Sequence, residues 1–292
     1  MLTIETTQDT FFLKKNTINC KGKLLNLDEL VVMGILNLTP DSFFDGGLLN
    51  NNQEIIEKVQ KMLSDGATII DIGGYSSRPG AAEVSEKDEL DRVIPIIKLL
   101  IKQFPEIIIS IDTFRSNVAK QAINAGAAII NDISAGNMDA NMFATVKELQ
   151  VPYIIMHMQG TPQTMQEKPT YKNVTLEVID FFAKKVNELN KLGINDIIID
   201  PGFGFGKTIE HNYELLNHLA DFEILELPVL VGFSRKSMIN KVIKTTPQEA
   251  LNGTTTLNTL ALSKGANILR VHDVLETKQV VDLYKKMKVN TI

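Results

Sequence analysis

The chain reads as an alternating α/β protein, a (β/α)8 TIM barrel in a single domain, and three observations predict that class. Eight short apolar runs rich in Ile and Val recur along the 292 residues, as parallel strands buried on both faces require. The dipeptides Asp65-Gly66, Ala125-Gly126, Leu192-Gly193 and Lys264-Gly265 each stand just before such a run, where glycine suits the end of a helix in an αβ connection. Polar or charged residues follow the runs: Asn37, Ser76-Ser77-Arg78, Asp112, Asn131, His157, Asp200, Lys236, and the pair Arg270 and His272. At the C-terminal ends of barrel strands, such residues read as one active site. A doubly wound open sheet is the alternative; it would gather its site at one switch point rather than at every strand end.

Residues 1–30 read as an N-terminal arm or hairpin across the barrel bottom, and residues 31–292 as the barrel domain. The expected strands are Val31–Leu36, Ile69–Ile72, Ile107–Ile111, Ala128–Ile130, Tyr153–Met156, Ile197–Ile199, Val229–Val231 and Asn267–Val271. Helices are expected near 53–65, 85–103, 115–124, 138–149, 174–192, 211–219, 247–264 and 274–288, with Ser85 capping the second and Pro95 inside it. No Pro/Ser/Gly-rich tract or charge block interrupts the alternation, so a second domain has no linker to begin from.

Apolar residues make up 44% of the chain, enough for one large core. A formal net charge of −5 argues against broad nucleic-acid binding, which needs a basic face. Any anionic ligand must be held by a local cluster of cations. Cys20 is the only cysteine, which excludes an intrachain disulfide and a cysteine-based metal site and points to a reduced, cytoplasmic protein. The N-terminus is polar and mixed in charge, and no apolar run is long enough to span a bilayer, so no membrane partner is expected.

A long polar loop follows the first strand: Asn37-Leu38-Thr39-Pro40-Asp41-Ser42-Phe43-Phe44-Asp45-Gly46-Gly47. Long loops at this end of a barrel work as lids more often than as connections. The segment closely resembles the first-loop signature of dihydropteroate synthases, and Gly73-Gly74-Tyr75-Ser76-Ser77-Arg78-Pro79-Gly80 resembles their second loop. The match continues in family order through Ile111-Asp112-Thr113-Phe114-Arg115, Asn131-Asp132-Ile133-Ser134, Met156-His157-Met158-Gln159-Gly160, Asp200 to Thr208, Ser234-Arg235-Lys236-Ser237 and Arg270-Val271-His272. It spans about 31 to 288.

The resemblance implies a reaction joining 6-hydroxymethyl-7,8-dihydropterin diphosphate to 4-aminobenzoate, with release of pyrophosphate. It assigns the pterin to Asp112, Asn131, Met156, Asp200 and Lys236. A carboxylate such as Asp200 matches a ring edge that presents two donors, whereas Asn131 suits an edge with a donor and an acceptor. Asp112 also stabilises positive character on the pterin methylene. Asn37, Arg78, Arg270 and His272 take the diphosphate. Arginine supplies a bidentate fork, Arg270 and His272 lie two apart on one strand face, and Asn37 offers a neutral oxygen to Mg²⁺. The benzoate falls to Phe43, Ser77, Arg78, Pro79, Phe205 and Ser234. Asp112, Lys236, Arg270 and His272 carry the catalytic roles. A homodimer through the last barrel helices is also implied.

Several residues receive plainer readings. Asp71 and Asp132 are expected to cap or pair structurally, Arg235 to be a supporting cation, and His157 has no assigned role. Gly202-Phe203-Gly204-Phe205-Gly206-Lys207-Thr208 lacks phosphate-loop spacing, because Pro201 stands five before Gly206. Tyr75 occupies a position where many relatives have glutamate, and Ser77 one where threonine is common. The competing readings are a pterin-binding methyltransferase module and a non-catalytic pterin-binding paralogue. The first needs no diphosphate clamp, and the second would not need Asn37, Ser77, Arg78, Lys236, Arg270 and His272 all to be in place.

Overall fold

A computed structural model describes residues 17–38, 48–75, 84–165 and 167–289. Two short strands, β1 (Thr17–Cys20) and β2 (Lys23–Asn26), pair antiparallel as a hairpin. Eight parallel strands follow: β3 (Val31–Asn37), β4 (Ile69–Gly73), β5 (Ile108–Asp112), β6 (Ile129–Asp132), β7 (Tyr153–Met156), β8 (Ile197–Asp200), β9 (Leu230–Val231) and β10 (Ile268–Val271). Their order is β8-β7-β6-β5-β4-β3-β10-β9. A parallel bridge between Ile199 and Val229 closes the ring, with the Ile199 N–H donating to the Pro228 carbonyl at 3.0 Å. The open-sheet alternative is thereby excluded.

The helices are α1 (Leu48–Ser64), α2 (Glu86–Gln103), α3 (Ser116–Ala125), α4 (Met142–Leu149), α5 (Val174–Lys191), α6 (Ile209–Asn217), α7 (Ser237–Ile243), α8 (Leu251–Ser263) and α9 (Val274–Val289). Ser85 caps α2 as expected, its hydroxyl accepting from the Asp88 N–H at 3.1 Å. The helix expected over 247–264 begins only at Leu251, because Pro247 starts a separate 3₁₀ turn, Pro247–Glu249. Helix α7 and the 3₁₀ segment Leu219–Leu225 are additional to the expected elements. Among the described residues, no helix is long and apolar enough to cross a membrane.

Side-chain alternation along each strand sorts the core into two layers. Val32, Leu36, Ile70, Ile72, Ile109, Ile111, Ile130, Tyr153, Ile155, Ile197, Ile199, Val231, Leu269 and Val271 pack outward with the helices. Val31, Met33, Ile69, Ile129, Ile154, Ile198, Leu230 and Ile268 form a separate interior cluster. Ile18, Cys20 and Leu27 of the hairpin region join it, so the hairpin plugs the barrel at the strands' N-terminal end. It is pinned there by the Asn19 N–H donating to Asp196 at 3.0 Å and Lys21 donating to the Ile123 carbonyl at 2.9 Å.

Candidate active site

Beyond the interior apolar layer, the same inward alternation presents Asp71, Asn131, Met156, Asp200 and Arg270 two residues further along their strands, and Asn37 and Asp112 at the ends of β3 and β5. Strand register sets several of these side by side. Asn37 pairs with Gly73, Gly73 with Asp112, and Asp112 with Asn131, while Met156 pairs with Asp200. A Cβ on Gly73 would come within 3.7 Å of Asp112 Oδ2 and 3.8 Å of Asn37 Oδ1. The missing side chain leaves a notch between those two oxygens. The expected site residues are therefore the last inward residues of their strands rather than loop residues beyond them.

Arg270 ties this layer together. Its Nη2 donates to Asp112 Oδ2 and its Nε to Asp71 Oδ2, both at 2.7 Å. Asn131 Nδ2 donates to the same Asp71 oxygen at 3.1 Å. Burial pushes the Asp112 carboxyl up to about 7, against the opposing pull of the Arg270 guanidinium, and the nearby Asp71 charge pushes the same way. Asp132 behaves differently because it points outward. It accepts from the Ser134 N–H and hydroxyl, the Gly136 N–H and the Tyr153 hydroxyl at 2.7–2.8 Å. That saturated carboxylate is the structural cap the sequence suggested, and Asp71 is the structural pairing residue it suggested, with its partner Arg270 at the mouth.

Across the mouth, Asp200 is buried and accepts from the Gly202 N–H at 2.8 Å. Burial raises its carboxyl, with Lys236 as the leading counter-influence. Lys236 Nζ donates to the Phe203 carbonyl at 2.6 Å and sits 4.7 Å from the Phe205 ring centroid. Burial lowers its ammonium to about 8, against the pull of Asp200. Phe205 joins Met156, Phe114, Ile133, Tyr75, Met138 and Met158 in a small apolar cluster distinct from both core layers. Charged groups and an apolar cluster thus meet at the mouth, where Lys236 lies against the Phe205 ring.

Sequence reasoning passed over Lys207, which is buried beneath this wall. Its Nζ lies 3.0 Å from His157 Nδ1 and donates to the carbonyls of Gly202, Phe205 and His157 at 3.0–3.3 Å. Burial lowers the Lys207 ammonium to about 7 and the His157 imidazole to about 3. This pair clamps the β8 loop onto the β7 loop, which gives His157 a structural role. Gly202 is required there: its φ is +73° and an added Cβ would lie 1.9 Å from the His157 carbonyl oxygen.

On the remaining side, Ser234 is buried against His272, 2.9 Å from Nδ1 and accepting from the backbone N–H at 3.1 Å. Its hydroxyl is hydrogen-bonded to His272 at the mouth. Arg235 makes a two-point ion pair with Asp273, Nε to Oδ2 at 3.1 Å and Nη2 to Oδ1 at 2.5 Å, in keeping with a supporting role. Phe43, Ser77, Arg78 and Pro79 lie outside the described residues.

A closed parallel barrel with charged and aromatic side chains gathered at the C-terminal mouth has the form of a (β/α)8 enzyme. A family profile described as "Pterin binding enzyme" matches residues 33–272. The dihydropteroate synthase of Escherichia coli K12 is 45% identical over 263 residues, covering 89% of this chain and 93% of that protein. The crystal structure of the Yersinia pestis dihydropteroate synthase with a sulfonamide drug complex superposes with a TM-score of 0.88 at 42% identity, covering 94% of this chain and 99% of that one. The Xanthomonas albilineans enzyme in complex with 7,8-dihydropteroate superposes with a TM-score of 0.84 at 36% identity, covering 93% and 98%. The chain belongs to the pterin-binding enzymes and, within them, to the dihydropteroate synthases.

Proposed function

We propose that the residues at the mouth divide the dihydropteroate synthase reaction among themselves as follows. The enzyme is a transferase of folate biosynthesis: 4-aminobenzoate displaces pyrophosphate from the methylene of 6-hydroxymethyl-7,8-dihydropterin diphosphate. Asp200 and Asn131 read the ring edge, Met156 packs on the ring, and Lys236 lies over it. Arg270 and His272, with Arg78, take the diphosphate. Phe205, with Phe43, Ser77, Arg78, Pro79 and Ser234, forms the benzoate side, Ser234 being hydrogen-bonded to His272 at its border with the diphosphate side.

An aromatic amine is uncharged at neutral pH, so the nucleophile needs no strong base. Departure of the diphosphate is the harder event, which favours dissociative substitution. Asp112 stabilises the cation that develops on the pterin while Arg270 and His272 hold the leaving anion. Among the described residues, no group of three or more His, Cys, Asp or Glu is arranged to hold a metal. The Asn37 amide oxygen beside the Gly73 notch fits Mg²⁺, which binds through few protein ligands together with phosphate oxygens and waters. When bound, Mg²⁺ would neutralise charge on the diphosphate oxygens.

The single observation that carries this reading is the convergence of Asp112, Asn131, Asp200, Lys236 and Arg270 on one mouth. Exposed Leu260, Leu275 and Leu283 on α8 and α9 offer apolar surface for a second copy of the chain, and the reduced, buried Cys20 accords with a cytoplasmic location. The test is pyrophosphate release from the dihydropterin diphosphate, with and without 4-aminobenzoate and Mg²⁺. Release that requires all three components is expected. Absence of release in the complete mixture overturns the reading.

A further inference from the structure

Asp71 stands in the middle of β4 within the apolar run Ile69-Ile70-Asp71-Ile72 and is completely shielded from solvent. The ligand-reading roles above do not use it. Burying a carboxylate is costly unless its oxygens are paired, and Asp132 shows how this fold pairs one fully. Asp71 is built otherwise. Its Oδ2 receives both Arg270 Nε at 2.7 Å and Asn131 Nδ2 at 3.1 Å, while its Oδ1 has no hydrogen-bond partner among the described residues. The Ser110 hydroxyl, on the register neighbour of Asp71, is likewise buried without a partner among the described residues.

A carboxylate only accepts hydrogen bonds, so it dictates that Asn131 presents its nitrogen downward and its carbonyl oxygen elsewhere. The same oxygen holds one corner of the Arg270 guanidinium, whose Nη2 is engaged by Asp112. Arg270 can therefore turn Nη2 from Asp112 to an incoming phosphate oxygen while Nε stays in place. That exchange frees Asp112 for the pterin.

Building on the division of labour proposed above, we infer that Asp71 is a positioning residue that couples the pterin and diphosphate halves of the site. It acts as a fixed pivot shared by Arg270 and Asn131. Occupation of one half then prepares the other, and the two ligands bind cooperatively.

The test is calorimetric titration of 6-hydroxymethylpterin, lacking the diphosphate, into the full-length protein with and without saturating Mg²⁺ and inorganic pyrophosphate. In the wild type, pyrophosphate should tighten pterin binding about tenfold, within the usual range of coupling between sites. In Asp71→Asn the enhancement should fall below about twofold, with pterin alone still bound within several-fold of wild type. A merely structural role would weaken both affinities and leave their ratio unchanged. Equal enhancement in the two proteins, or none in the wild type, overturns the inference. Should Asp71→Asn fail to fold, Arg270→Lys decides. Its ammonium keeps the charge but cannot reach Asp71 and Asp112 in the same fork, so enhancement should be lost, and its retention would refute the pivot. Turnover by the wild type without such coupling would leave the functional reading standing and remove Asp71 from this role alone.

Discussion

Ile198 and Asp200 lie two residues apart on β8 and point into the same barrel, yet they belong to different chemistries. Ile198 joins Val31, Met33, Ile69, Ile129, Ile154, Leu230 and Ile268 in an apolar layer plugged by the hairpin. Burying each such side chain stabilises the fold by about 1.5–3 kcal/mol. One inward step higher, Ile69 gives way to Asp71, Ile129 to Asn131, Ile154 to Met156, Ile198 to Asp200 and Ile268 to Arg270. There, burial works against the charged forms: it raises Asp112 and Asp200 and lowers Lys236. The lower layer can support the strained charges of the upper one because the strand backbone connects them rigidly. Position along the strand, more than residue type, separates stability from function.

The sharpest way to break this comparison is to remove the cation at the centre of the upper layer. Arg270→Met should lower the rate of pyrophosphate release per folded molecule by roughly a hundredfold or more, the scale of losing a preorganised donor to a developing anion. Binding of a plain pterin should remain largely intact; unchanged turnover would remove Arg270 from its role. Asp200→Asn keeps an oxygen for the Gly202 N–H but loses the paired acceptor. Pterin affinity, read by calorimetry, should drop about ten- to hundredfold, as expected for a charge-assisted hydrogen bond worth about 1.5–3 kcal/mol.

In the lower layer the expected effect is of another kind. Ile198→Ala should cost about 2–5 kcal/mol of stability in a denaturant titration while kcat/KM of the folded enzyme stays near wild type. The smallest effect is on pH dependence. Asp112 is raised to about 7 and Lys236 lowered to about 8. Below 7 the carboxylate takes a proton, and above 8 the ammonium loses one. A profile of kcat/KM for the dihydropterin diphosphate should therefore fall on both sides of that window, by at most about tenfold per pH unit for each group. Lys236→Arg should move only the alkaline limb upward, since a guanidinium stays charged.

Much of this arrangement was legible in the chain. Continuous Ile/Val runs ending in polar residues located all eight barrel strands, because strands buried on both faces must be apolar until they reach the mouth. The assignments of Asn37, Asp112, Asn131, Asp200, Lys236 and Arg270 drew on motif resemblance as well as on strand position. Asp71 was read as a structural pairing residue, which its ion pair with Arg270 bears out, but its place inside the site was hidden for a definite reason. Its sequence neighbours are as apolar as those of a core residue, and only counting alternate residues back from Gly73 reveals that it shares the inward face of Ile69. The same count puts Asp132 outward and so explains its purely structural contacts. Lys207 was hidden inside a glycine-rich stretch that invited comparison with phosphate loops. Its partners are backbone carbonyls, which carry no sequence signal, and His157 could not be interpreted without it. Helix α7 was overlooked because seven residues are too short to show a convincing helical period.

The most direct test of the two-layer account sets Asp200→Asn beside Ile198→Ala in the same two assays, pterin calorimetry and thermal denaturation. A crossed result is expected: Asp200→Asn loses pterin affinity with little change in melting temperature, and Ile198→Ala melts several degrees lower yet binds pterin as tightly as the wild type. If both substitutions depress both quantities to a similar extent, the separation of function above from stability below is wrong.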